Sequence, residues 1–149
     1  MVFDKGSIQF SVSLPISGRK ITETIAKTLN ISEVEAEKAK KICGFDNDKC
    51  DGAITSILQP IVDELITRVR ESQIFYRDHF PNGSKIGQVI LCGGGANFKK
   101  INHIFADTLQ LPVTIGDPSV NLDKATLHIP EEEIVGYTTA IGLALRGHQ

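Results

Sequence analysis

The sequence predicts an α/β chain with few strands and a helix-rich middle, and three observations carry that reading. Residues 7–14 alternate polar and apolar side chains, the period of a half-buried strand. Over residues 53–77, Ile54, Ile57, Leu58, Ile61, Val62, Leu65, Ile66 and Val69 recur at helical spacing. Residues 88–97 are a short apolar run that ends in Gly93, Gly94 and Gly95 before helical spacing resumes. That pattern is a strand, a tight loop and a helix start.

In chain order, Val2 and Phe3 are the stub of a first strand, and Asp4-Lys5-Gly6 is a hairpin turn leading into the strand at 7–14. Pro15 and Gly18 end that strand. Ile21, Ile25 and Leu29 recur every four residues, which predicts an amphipathic helix over 20–29. Ser32 with Glu35 three residues later is a capping box, so a second helix runs from there to about Ile42. Residues 43–52 are a polar loop. Pro60 lies two turns into the long helix and should kink it or mark its first turn. Residues 86–92 read as a buried strand, 98–108 as a helix, 111–115 as a short strand and 119–131 as loop. A closing helix over 132–146 carries Gly136, Ala140, Gly142 and Ala144, small side chains that let a helix press close to a neighbour. The strands are too few to close a tidy sheet alone.

Composition narrows the function classes. The 149 residues can bury a real core, and 41% hydrophobic with 23% charged residues is ordinary globular usage. A net charge of −2 with no dominant basic stripe argues against a nucleic-acid partner. No run approaches the ~18 apolar residues of a spanning helix, so direct membrane insertion is not expected. Cys43, Cys50 and Cys92 are odd in number and form no CxxC pair, which predicts reduced thiols and a cytoplasmic protein.

Several candidate sites fail on spacing. Asp46, Asp48 and Asp51 precede Gly52, but an EF-hand loop counted from Asp46 would need glycine at its sixth position and a carboxylate where Ile57 stands. His79, His103, His128 and His148 are scattered without metal-ligand spacing. Cys92 at a strand end is a small core residue rather than a nucleophile. Neither a catalytic set nor a metal site is therefore expected.

Two features suit a ligand better. Glycines at 93–95 leave no Cβ, so backbone can lie flat against a ligand, although a tight structural turn would use them equally well. Glu37 and Lys40 share one helix face. A carboxylate that accepts from a ribose hydroxyl, beside an aliphatic stem that covers a base, would suit a nucleoside; an exposed ion pair is the competing reading.

In order along the chain, five segments resemble motifs of the actin-like ATPase superfamily, and within it the PilM family of type IV pilus assembly proteins, relatives of the division protein FtsA. Leu14-Pro-Ile-Ser-Gly18 with Ile21-Thr22-Glu-Thr-Ile25-Ala26 is similar to "I-G-G-x-x-I-T-x-x-I-A", with Ser17 in place of the first glycine. Residues 31–40 resemble "is-x-x-x-A-E-x-x-K", and residues 60–75 resemble "P-x-x-x-E-L-x-x-x-I-x-x-S-x-x-F-Y". Leu91-Cys-Gly-Gly-Gly-Ala96 resembles the adenosine motif, and Ile141-Gly-Leu-Ala-Leu-Arg146 the C-terminal "x-G-L-A-L-R".

The resemblance implies the second lobe of an actin-like (ribonuclease H-like) ATPase fold, with an incomplete sheet layer and a small helical subdomain. Residues 1–19 and about 86–149 would form the sheet-bearing part, and about 20–85 the inserted helices. It implies ATP or ADP as ligand, contacted by Glu37, Lys40, Gly93, Gly94, Gly95, Ala96 and Asn97. Mg²⁺ would bind only together with the other lobe. The first lobe and an Asp-x-Gly phosphate loop are expected to be missing, so hydrolysis by this chain alone is not expected. The implied setting is the cytoplasm, peripheral to the inner membrane, with other pilus assembly proteins as partners through the full-length protein, and a homodimer as a further option. The groove for the PilN tail belongs to the first lobe. The alternatives are an FtsA-like cell-division fragment, or an interaction and oligomerisation module with a vestigial nucleotide site.

Overall fold

A computed structural model describes residues 1–13, 16–120, 122–123, 128–131 and 133–146. The expected strand end at Leu14, the break at Pro15, part of the 119–131 loop and the helix start at Glu132 lie outside the described residues.

Strands β1 (Val2–Asp4) and β2 (Ser7–Phe10) form an antiparallel hairpin. Its turn residues Lys5 and Gly6 both have positive φ, 50° and 79°, which matches the right-handed twist of the strands. Helix α1 (Gly18–Leu29) is capped by Ser17, whose side chain accepts from the Lys20 amide. Helix α2 (Glu33–Cys43) opens with the predicted capping box: Ser32 Oγ accepts from Glu35 N, and Ser32 N donates to Glu35 Oε2.

Helix α3 (Ala53–His79) runs through Pro60. The missing proline N–H leaves the Ser56 carbonyl without its helix donor; both residues are exposed, so water can satisfy it.

Strand β3 (Val89–Leu91), helix α4 (Ile101–Leu109) and strand β4 (Val113–Ile115) make one βαβ unit with the strands parallel. Helix α4 starts three residues later than the spacing predicts. The glycine loop instead passes into a 3-10 turn at Gly94–Asn97, and Lys100 takes a left-handed conformation before the helix begins. The closing segment likewise splits into a 3-10 turn at Ile134–Tyr137 and a shorter helix, α5 (Thr138–Leu145).

The core lies among the helices. Ile25, Ile54, Leu58 and Cys43 are the largest fully buried side chains, and Ile101, Phe105 and Val113 extend that cluster from α3 onto the βαβ unit. The hairpin sits at the far end of α3. Phe10 packs on Phe75, Tyr76 and Phe80, the Tyr76 hydroxyl donates to Asp4 Oδ2 (2.6 Å), and Ser84 N donates to the same oxygen (3.1 Å). The Tyr76 bond first, then the Ser84 amide, hold the Asp4 carboxyl down at about 2.

Three expectations are corrected, the first being Cys92, expected as a small core residue and found exposed. Cys43 and Cys50, expected as reduced thiols, are joined by a disulfide with Cα atoms 6.1 Å apart, because the chain turns at Gly44 and returns past the end of α2. The small residues of α5 press against nothing: no described residue of that helix is buried, and a Cβ on Gly142 would meet open space.

Candidate functional site

Helix α2 carries Glu37 and Lys40 on the face that meets α1. Lys40 is 6% exposed, and its ammonium has three acceptors: Gly18 O at 3.2 Å, Thr22 Oγ1 at 2.7 Å and Glu37 Oε2 at 2.5 Å. A buried ammonium needs such partners, and the first turn of α1 supplies two of them. The ammonium also lies 6.0 Å from the centre of the Phe98 ring, just past the glycine loop. The Thr22 hydroxyl has one proton to give, to Gly18 O or to Glu37 Oε2 (2.5 Å), while it accepts from Lys40.

Burial works against charge on Glu37, yet the hydrogen bonds from Lys40 and Thr22 outweigh it and hold the carboxyl below its ordinary value. Glu37 is therefore an anion at neutral pH. Its contacts fall on Oε2 and its side chain is 41% exposed, so Oε1 is the oxygen left to accept from a ligand hydroxyl.

The glycine loop forms the opposite wall. Of the three glycines only Gly93 needs its residue type for conformation, with φ of +83°, and its amide donates to Val135 O at 3.1 Å. Gly94 and Gly95 are exposed, and a Cβ on either would meet no atom within 4 Å. Protein packing does not require glycine there; the space a side chain would fill belongs to the cleft. Ala96 is buried and turns the loop inward, and Asn97 is exposed.

One open cleft of about 1690 Å³ is lined by Gly18, Thr22, Glu37 and Lys40 on one side, by Gly94, Gly95, Ala96, Asn97 and Phe98 on the other, and by Gly136 and Tyr137. This exceeds the ~300–1,000 Å³ of a fitted small-molecule pocket, because the cleft continues past apolar residues of α3 and α4, among them Ile61, Leu65, Val69 and Phe105. Six of the seven predicted site residues line it; Gly93 shapes the turn instead. Sequence reasoning missed Thr22, Phe98 and Tyr137. Thr22 could have been found, since it lies one residue from the apolar stripe at Ile21 and four from Gly18 on the same helix face.

The cleft's lining is mixed: the carboxylates of Glu33, Glu37 and Glu133, several lysines, glycine backbone without side chains, and aromatic rings at Phe98 and Tyr137. Lys40 fits less well as a hydrogen-bond donor to a ligand, because its protons are already taken. Among the described residues no group of three or more His, Cys, Asp or Glu is placed to hold a metal ion, and no helix is long and apolar enough to cross a membrane.

Comparison with known proteins gives a consistent family. The family description "Type IV pilus assembly protein PilM" matches residues 1–148. A solved structure titled "PilM-PilN type IV pilus biogenesis complex" superposes with a TM-score of 0.68 at 28% identity, over 91% of this chain and 38% of that one. FtsA, the cell division protein of Pseudomonas aeruginosa, is 25% identical over 99% of this chain and 39% of its own length. FtsA of Buchnera aphidicola subsp. Baizongia pistaciae is 21% identical over 98% of this chain and 41% of its own length. The chain spans less than half the length of each of these relatives. The small sheets and packed helices are those of a partial lobe of the actin-like ATPase fold, and the chain belongs to the PilM family of type IV pilus assembly proteins.

Proposed function

We propose that this chain supplies the adenosine-facing half of an adenine-nucleotide site, in a pilus assembly protein that works as a platform at the cytoplasmic face of the inner membrane. The observation that carries this reading is the open backbone of Gly94 and Gly95 across one groove from the Glu37 carboxylate. Glu37 Oε1 would accept from a ribose hydroxyl, Gly94, Gly95 and Ala96 would lie along the nucleoside, and Asn97 would edge the groove. Lys40 would act through its position, holding Glu37 charged and oriented from beneath. Bound ATP would bring a phosphoanhydride whose cleavage depends on positioned metal and phosphate contacts. The role assigned to the described residues is adenosine contact.

Titration calorimetry of ATP, ADP and adenosine against the wild type, Glu37→Ala and Gly95→Ala tests this. Similar affinities for the three ligands, weakened about tenfold or more in each variant, are the expected result. No binding of any of them at millimolar concentration would remove nucleotide contact from this chain.

A second reading has its own observation. Ile90 and Ile115, on opposite faces of the β3–β4 pair, and Leu143 on α5 are 54%, 45% and 64% exposed, apolar side chains open to docking. In this reading the chain is a docking or self-association module, and light scattering across concentrations would show mass rising above the monomer.

A further inference from the structure

The two walls of the groove are joined by the short loop that follows α2. Cys43 ends that helix, and the Gly44 amide donates to Lys40 O at 3.1 Å. The loop then runs against the segment after the glycine turn. Phe45 is 3% exposed, its amide donates to Lys99 O at 3.1 Å, and its ring meets Phe98 edge-on at 6.4 Å. Gly44 lies so close that a Cβ on it would sit 2.6 Å from Lys99 N, and Lys100 Nζ donates to Asp46 Oδ1 at 2.5 Å. Beside the Lys40–Phe98 contact, these hydrogen bonds and packing contacts to the glycine-loop arm come from residues enclosed between Cys43 and Cys50, whose disulfide closes the loop. Cys43 is buried and Cys50 exposed, an arrangement in which the outer sulfur can be reached and the inner one can resolve.

We infer that Cys43 and Cys50 form a reversible thiol–disulfide latch: closed, it holds the 44–49 loop against Phe98, Lys99 and Lys100 and keeps the two walls of the groove in register for the nucleotide. Closure proceeds by exchange with a small-molecule disulfide. The Cys50 thiolate attacks one of its sulfurs and expels a thiolate; the Cys43 thiolate then attacks the Cys50 sulfur of the mixed disulfide and expels the second. The two cysteine protons end on the two released thiols, so two electrons pass to the small-molecule disulfide. A dithiol reverses both steps. Coupling arises because an open loop must be ordered again when the walls meet around a ligand, and that ordering weakens binding.

The inference about affinity rests on the nucleotide reading above, and the test separates the two. The 149-residue chain is equilibrated with glutathione disulfide or with dithiothreitol, and free thiols are counted after denaturation. Peptide mass, which tells the Cys43–Cys50 bond from glutathione adducts on Cys50 or the exposed Cys92, is expected to find that bond in the first case and three free thiols in the second. Amide hydrogen exchange at Gly44 and Phe45 should rise about tenfold on reduction, and ADP affinity should fall by about the same factor. Cys50→Ser, at an exposed position, should reproduce the reduced behaviour in both conditions. Cys43 and Cys50 unbonded to each other in glutathione disulfide, or exchange unchanged between the bonded and reduced forms, would overturn the latch. An ADP affinity that is measurable yet equal in both forms would also overturn it. ADP binding to neither form would sink the nucleotide reading instead, and the exchange comparison would still decide whether the disulfide holds the loop.

Discussion

Two regions that border the groove are built to different standards. The α1–α3 side is a packed body: Ile25 is fully buried, Ile54 and Leu58 are nearly so, and Ser17 and Ser32 cap the starts of α1 and α2. Past β4, the described residues bury only Ser119 and Val135, and α5 lies largely uncovered. Glu37 and Lys40 are therefore set by a core that forms within this chain, whereas the closing segment beside the glycine turn is packed more loosely, with Leu143 exposed and Ile141 and Leu145 half-buried. The sparse packing is confined to that closing segment, since the glycine-loop arm joins the core through Ile101 and Phe105, with Ala96 buried as well.

Substitutions can break that contrast. Leu58→Ala should destabilise the chain by about 3 kcal/mol in urea unfolding, the range for a buried leucine, whereas Leu143→Ala on α5 should change it by less than about 0.5 kcal/mol. Equal losses would show that the closing helix is as much part of the cooperative unit as α3. Gly44→Ala should cost about 2 kcal/mol, since φ of +53° and a Cβ at 2.6 Å from the Lys99 amide both oppose a side chain. Gly94→Ala, by comparison, should leave unfolding unchanged and act only on ligand affinity.

At the far end of α3, Tyr76→Phe should cost about 1 kcal/mol, because it removes a single hydrogen bond and leaves the ring stacking intact. The same site gives a smaller, pH-dependent effect. Asp4 is held at about 2 when folded, from an ordinary 3.8, so its contribution is present above pH 4 and is lost as the pH falls toward 2. Acid titration of stability should show that loss in the wild type and a weaker one in Tyr76→Phe.

Legibility in the sequence follows the range of the interactions. The capping box at Ser32 and Glu35 and the α1 stripe at Ile21 and Ile25 were readable because each depends on residues three or four apart. The parallel pairing of β3 with β4 follows from a strand, helix and strand in succession. The late start of α4 was hidden: Lys100 adopts a left-handed turn that its side-chain type does not advertise. The Cys43–Cys50 bond was hidden because spacing alone cannot show that the loop folds back. At the site, helical spacing put Glu37 and Lys40 on one face, and the resemblance turned that face into a nucleoside expectation. What spacing could not reveal is that α1 offers Lys40 two acceptors, Gly18 O and Thr22 Oγ1, so that its ammonium is bonded within the protein.

The Asp4 carboxylate joins Tyr76 and Ser84, partners 72 and 80 residues away along the chain. Such a bond can form only once α3 is complete, after a long loop has been closed against its entropy. The hairpin is thus among the last pieces to dock. Until then it is an unpaired two-stranded ribbon, too small to be stable by itself. Its amides should open in native-state exchange at a lower free energy than those of α3, which makes the hairpin a late-closing flap in the order of folding.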